Sequence, residues 1–173
     1  MKLAWMAFGL IAYSVFVIQR VMPRLPPLIP TSFNWQGHPT NWSRPEMLWS
    51  MLFGQVAGAV LLLAIPYLGR FAPQLVSFGR RKLSDIPPAA RRQLMPLLEN
   101  MCGWMATLFC LFFSMLIRDL IRAALSPGIS PSLWPIPAFV ASMGVVVVYY
   151  LRQFNRVAQQ VSAERARREG LRR

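Results

Sequence analysis

Leu25-Pro-Pro-Leu-Ile-Pro-Thr-Ser-Phe-Asn-Trp-Gln-Gly-His-Pro-Thr-Asn-Trp-Ser-Arg44 is a polar, proline-rich interruption between two apolar runs. Reading it as a connection between membrane-crossing helices fixes the fold of the rest. It holds four prolines, one glycine, two tryptophans and the single histidine of the chain. Pro23 ends the helix before it, because proline cannot continue the backbone hydrogen-bond ladder. After it, Ser43 is the expected N-cap of the next helix, with Pro45 and Glu46 in its first turn.

The apolar residues outside this stretch gather into four blocks: Met1 to Met22, Met47 to Leu68, Leu97 to Ile117 and Leu133 to Leu151. Of the 173 residues 55% are hydrophobic and 14% charged, a balance that does not fit a water-soluble domain. Each block is about 20 residues long, and at a rise of about 1.5 Å per residue a helix of that length crosses a hydrocarbon core of about 30 Å. The expectation is an all-α integral membrane protein with four transmembrane helices. Lys2 ahead of the first block would suit the start of a signal peptide, but Val17 to Arg24 lacks the small-x-small cleavage pattern, so the block is read as an uncleaved anchor.

Basic residues set the orientation. Lys2, the connection bearing Arg70, Arg80, Arg81, Lys82, Arg91 and Arg92, and the tail bearing Arg152, Arg156, Arg165, Arg167, Arg168, Arg172 and Arg173 lie on one side. Arg20, Arg24, Arg44, Arg118 and Arg122 lie on the other. The positive-inside rule then places both termini in the cytoplasm and the Trp/Pro-rich loop outside. The net charge of +13 is accounted for by anionic lipid headgroups beside the helix ends and does not call for nucleic acid.

The organisation expected is a unit over 1–70 (helix, outer loop 23–45, helix), a basic cytoplasmic connection over 71–96, a second helical pair over 97–152 and a basic tail over 153–173 that continues the last helix and frays near Gly170. Within the connection, 71–80 mixes apolar and basic residues and suits the membrane surface. Ser84 or Asp85 caps a helix entered through Pro87 that leads straight into the third span, with a bend at Pro96. Pro66 is expected to kink or end the second helix. Gly54 and Gly58 have the small-x-x-x-small spacing of a helix-packing seam. Asp119 and Arg122, three apart on one face, are expected to form an interfacial ion pair.

Nothing in the spacing of the six acids, the histidine or Cys102 and Cys110 assembles a nucleophile, paired-carboxylate or metal motif, so no enzyme activity, cofactor or metal is expected. Gln55, Thr107 and Ser114 are polar within the spans but carry no charge, a poor transport path. The outer loop offers recognition chemistry instead. Trp35 and Trp42 are amphipathic rings, Asn34, Gln36, His38 and Asn41 supply uncharged donors and acceptors, and Gly37 can turn the chain. Pro30, Phe33, Asn34, Trp35, Gly37, His38, Asn41 and Trp42 form the candidate ligand-binding set; the plainer reading is a structured plug over the helices.

Over these residues the pattern Leu25-Pro-x-x-Ile-Pro-Thr-x-Phe-Asn-x-x-Gly-x-Pro-x-x-Trp42 resembles the membrane domain of unknown function 1648 (DUF1648), which opens the SdpI-type immunity proteins of bacteria. The resemblance covers about the first 70 residues. The family usually has histidine where this chain has Ser32, and lysine where it has Arg44. A hydroxyl does not titrate near neutrality, so Ser32 cannot replace a titrating histidine. The resemblance implies a multi-pass protein of the bacterial inner membrane whose outer loop meets a peptide or membrane-associated ligand, as immunity proteins meet a secreted toxic peptide. The alternative is a non-catalytic subunit of a larger membrane assembly, or a homo-oligomer, joined through Gly54 and Gly58.

Overall fold

The computed structural model describes residues 2–34, 38–71, 77–78, 81–82, 88–126 and 134–170. Four long helices, α1 (Lys2–Val21), α2 (Met47–Phe71), α3 (Pro88–Leu125) and α4 (Pro135–Gly170), carry almost all of the regular structure. Between α1 and α2, β1 (Ile29–Phe33) and β2 (Pro39–Ser43) form an antiparallel hairpin. A minimal second ladder pairs β3 (Ser77–Phe78) with β4 (Arg81–Lys82). Among the described residues three helices are long and apolar enough, by length and composition, to cross a membrane: Ala4–Arg24, Met47–Phe71 and Pro135–Val157.

The distribution of polarity agrees with a lipid environment. Phe53, Leu61, Phe71 and Val145 are each at least two-thirds exposed, whereas Ser14, Gln55, Thr107 and Ser114 are buried. A water-soluble protein does the reverse, because exposed apolar surface costs about 25 cal/mol per Å² in water. Hydroxyls within the bundle are tolerable where they bond within their own helix. Thr107 Oγ1 donates to the Gly103 carbonyl at 2.9 Å, and the part-buried Ser142 Oγ to the Ala138 carbonyl at 2.7 Å.

Helix α3 is the hub and packs extensively on α1, α2 and α4. Its buried stripe runs Leu94, Leu98, Cys102, Ala106, Cys110, Ser114, Ile117, Ile121, one residue per turn. That recurrence puts Cys102 and Cys110 on one line, both as free thiols. At its first turns α3 meets α4 through Leu94, Leu98 and Cys102 against Tyr150 and Phe154. Further along, Ala106 and Cys110 meet Ala7 of α1 and Ala59 of α2, and small side chains let these three backbones approach. At the hairpin end the core becomes aliphatic: Ile18, Ile29, Leu48, Leu52, Ile117, Leu120 and Ile121.

Several local expectations are corrected. Ser43 does not cap α2 but belongs to β2, and Arg44 to Glu46 form the turn that starts the helix, with Met47 N donating to the Arg44 carbonyl at 3.1 Å. Strand pairing has claimed Ser43, so its backbone is extended along the ladder. Pro66 does not end α2, which runs on to Phe71 with Pro66 buried inside it. Proline inside a helix is tolerated more readily in membrane-spanning segments than in water-soluble helices. The helix of the connection does lead straight into the third span, as expected: α3 is continuous through Pro96, so the boundary drawn between 96 and 97 falls inside it. Asp119 and Arg122 form no ion pair with each other, and the one ion pair among the described residues joins Arg70 to Glu99. Arg122 is exposed, and an exposed pair gains too little to hold a long side chain in place. The tail continues the last helix as expected, α4 running to Gly170; the caps expected at Ser84 and Asp85 lie outside the described residues.

The glycine pair is used within the chain. A Cβ on Gly58 would sit 2.3 Å from Cε1 of Phe109, whereas one on Gly54 would meet only Phe113 Cε1 at 3.7 Å. Phe109 and Phe113 themselves pack with centroids 4.7 Å apart, so the Phe109 ring has little freedom to retreat. Gly58→Val is therefore expected to destabilise the detergent-solubilised protein by about 1–3 kcal/mol, and Gly54→Ala to change it by well under about 1 kcal/mol. Thermal unfolding of both variants, with Phe109→Ala restoring stability to Gly58→Val, checks the contact.

Candidate functional site

The hairpin is built from a stretch whose prolines deny it a regular ladder. Pairing runs Ile29 to Ser43, Pro30 to Trp42, Ser32 to Asn41 and Phe33 to Pro39, with irregularities on either side of Ser32. Bulges of this kind bend a strand and turn its side chains. The turn is closed at Asn34 and His38. Asn34 N donates to the His38 carbonyl at 2.9 Å, and His38 N donates to Asn34 Oδ1 at 2.8 Å. Asn34 thus acts as an Asx-type turn residue, its side chain standing in for a backbone acceptor.

The two strands have opposite environments. In β1, Ile29 is fully buried among Ile18, Leu48, Ile117 and Ile121, Pro30 is buried, and Phe33 packs partly on the same core. In β2, Pro39, Thr40, Asn41 and Trp42 are exposed. Trp42 is 53% exposed, and its backbone N–H is taken by Asn41 Oδ1 at 3.0 Å. Thr31 Oγ1 and Ser43 Oγ approach across the pair at 3.4 Å. The hairpin is consequently a rigid mount, pinned by one strand and displaying the other.

Of the expected ligand-binding set, Pro30 and Phe33 face inward as anchors. Asn34 shapes the turn, and His38, Asn41 and Trp42 lie on the displayed side. Trp35 and Gly37 lie outside the described residues. Phe33 and Asn34 also line a cleft of about 870 Å³ whose other wall is the start of α4, chiefly Trp134, Ile136, Pro137 and Val140. Sequence reading missed this wall, because nothing in the sequence of α4 announces that its first turns lie opposite β1. The cleft is almost wholly apolar, with Asn34 as its polar corner.

A second feature lies inside the bundle. Ser14 Oγ and Ser114 Oγ are 2.8 Å apart, and Gln55 Nε2 donates to the Cys110 carbonyl at 3.0 Å and to Ser114 Oγ at 3.2 Å. Ser114 Oγ also lies 2.8 Å from the Cys110 carbonyl. These distances close a consistent assignment: Ser114 donates to Cys110 and accepts from both Gln55 and Ser14. The amide orientation follows, since reversing Gln55 would set its oxygen against a carbonyl that cannot donate. Gln55 Oε1 is buried with no hydrogen-bond partner among the described residues. Helices α1, α2 and α3 thereby each contribute one polar side chain to a single node. Gln55, Ser114 and Ser14 are each visible in the sequence as polar interruptions of apolar runs, but Ser14 is not among the polar span residues singled out there, and nothing local shows that the three meet.

No family model matches the chain, and neither curated proteins nor solved structures give a match. The likeness to the domain of unknown function 1648 rests on the residues quoted for it.

The node supports a quantitative expectation. Interhelical hydrogen bonds in membranes average about 0.6 kcal/mol in double-mutant cycles. A cycle of Ser14→Ala and Ser114→Ala, read by unfolding in detergent, is expected to show coupling of about that size. Ser114→Ala alone should cost more, about 1–2 kcal/mol, because it also strips an acceptor from buried Gln55. Strict additivity of the two substitutions would show that the hydroxyls do not interact.

Proposed function

We propose that the chain is a four-span membrane recognition protein, with both termini in the cytoplasm, whose outer hairpin engages a peptide or membrane-associated ligand in the manner of SdpI-type immunity proteins of the bacterial inner membrane. The observation that carries this reading is the division of labour in the hairpin: Ile29 is fully buried while the Pro39–Trp42 face is exposed. A binding element held rigid before contact loses little conformational entropy on binding. An exposed strand of a two-stranded sheet also offers a free edge to which an extended peptide can add. The adjoining apolar cleft suits a ligand that partitions into the membrane, with Trp42 and Trp134 at the level where amphipathic rings favour the interface.

The fourth span in this reading is α3. Its stretch from Asn100 to Ile117 contains no charged residue and is bounded by Glu99 and Arg118. At about 1.5 Å per residue that stretch rises about 27 Å, close to the hydrocarbon thickness. The rival, a subunit joined to a larger assembly through Gly54 and Gly58, loses its seam because Phe113 and Phe109 of α3 already cover those glycines. The basic connection and tail serve the reading as contacts for anionic lipid headgroups.

Two measurements test the proposal. Cells producing the protein and challenged with secreted membrane-active peptides should lose protection at least about ten-fold on Trp42→Ala with Trp35→Ala, a loss of about 1.4 kcal/mol or more in binding. Membrane insertion should persist, and full protection by the double variant would end the recognition reading. Orientation is checked by thiol labelling in intact cells. Asn41→Cys should react with an impermeant reagent from outside and Ser84→Cys should not, over a low background because Cys102 and Cys110 are buried.

A further inference from the structure

At the end of the bundle opposite the hairpin, α1, α2 and α3 enclose a pocket of about 260 Å³. Its chemistry is mixed in an orderly way. Arg70, one residue before the end of α2, and Glu99, immediately before the charge-free stretch of α3, form an ion pair at the pocket wall. Asn100 lies beside Glu99, and Trp5, Phe8 and Tyr67 supply aromatic surface. Both charges remain within reach of a ligand: the Arg70 side chain is 53% exposed and that of Glu99 28%. Their mutual bond uses Nη2 of Arg70 and Oε1 of Glu99. A guanidinium carries five N–H donors and a carboxylate two oxygens, so neither is exhausted by that bond.

We propose that this pocket binds the headgroup of a zwitterionic phospholipid bearing a primary amine, its phosphate on Arg70 and its ammonium on Glu99. The inference is independent of the hairpin and its ligand. Charge complementarity selects the occupant. A purely anionic headgroup would gain Arg70 but face the Glu99 carboxylate, and a purely cationic group would meet the opposite conflict. A phosphate and an ammonium joined by a short linker answer both at once. Guanidinium is suited to phosphate oxygens, and the carboxylate and the Asn100 carbonyl accept from N–H donors. A quaternary amine has no such donors and relies on aromatic faces. Here the Tyr67 ring is already covered by Arg70, whose guanidinium carbon lies 5.8 Å from its centroid, so Trp5 remains as the principal open face.

The surroundings favour a lipid over a free headgroup. Trp5 and Phe8 are 74% and 52% exposed and lie on the apolar flank of α1, with their rings in tilted contact at 6.3 Å. Acyl chains leaving the pocket would run along that flank in the hydrocarbon layer. Free phosphoethanolamine would leave it bare.

The test uses the full chain released from nanodiscs holding equal parts of phosphatidylethanolamine, phosphatidylglycerol and phosphatidylcholine, with retained lipid counted by native mass spectrometry. Phosphatidylethanolamine is expected to be enriched about ten-fold over the other two, and Arg70→Gln or Glu99→Gln to reduce the enrichment to near unity. A series of mono-, di- and trimethylated phosphatidylethanolamines on the unaltered protein reads the same contact without any substitution; retention should fall as each N–H is removed. Equal retention of all lipids, preference for phosphatidylglycerol, or indifference to methylation would overturn the proposal. Displacement of the retained lipid by soluble glycerophosphoethanolamine at equal concentration would overturn its assignment to a lipid.

Discussion

The close approach of three helices at small side chains is the constraint from which the remaining structure follows. Ala7, Ala59, Ala106 and Cys110 meet where α1, α2 and α3 come together, and Gly58 gives its place to the Phe109 ring. In lipid there is no gain from hiding apolar surface, since acyl chains are as apolar as leucine. Helices then hold together by dispersion at short range and by the few hydrogen bonds that proximity allows. The Ser14–Gln55–Ser114 node is such a set of bonds, possible only because the adjacent alanines let the backbones draw near. Bulky residues at the seam would separate these groups beyond hydrogen-bonding distance, leaving Ser14 and Gln55 without their interhelical partners in an apolar interior.

The hairpin depends on the same seam at one remove. Ile29 is fully buried because Ile18, Leu48, Ile117 and Ile121 converge on it from three helices, and those positions continue the stripes that begin at the alanines. On α3 the line from Ala106 through Cys110 and Ser114 reaches Ile117 and Ile121 without a break in period. A rotation of α3 that lost the seam would also turn Ile117 away from Ile29. The mount of the exposed strand is thus set by helix packing more than by its own five-residue ladder, and a two-stranded hairpin alone is marginal in stability.

How far the sequence discloses this follows from the range of each interaction. Helix positions are legible because lipid imposes a length on every apolar run, and the stop at Pro23 because proline acts locally. The glycine pair is legible as a packing device, though not which helix uses it. The pairing of Ser14 with Ser114 is not, since the two are 100 residues apart and a serine in an apolar run does not announce its partner. The hairpin reads only as a shaped loop: its prolines hide the alternation that marks a strand, and Ser43 resembles a cap because the local signals for capping and for strand ends overlap. Arg70 and Glu99 register in the sequence as charges alone, because their meeting requires α2 and α3 to be placed side by side.

The unpartnered Gln55 Oε1 bears on how this packing is specified. A leucine at that position would keep the apolar seam and leave no polar atom unsatisfied, so the glutamine is not the choice that maximises stability alone. What it adds is register. Its Nε2 bonds the Cys110 carbonyl and Ser114 Oγ together, and sliding α2 by one turn, about 5.4 Å, would lose both. Apolar contacts discriminate poorly between such slips, because one aliphatic side chain fits nearly as well as the next. A polar pair at one level of a helix seam discriminates strongly, as single polar residues do in coiled coils. By fixing α2 against α3, Gln55 sets Leu48 and Leu52 opposite Ile117 and Ile121 at one end of the bundle, and Arg70 opposite Glu99 at the other.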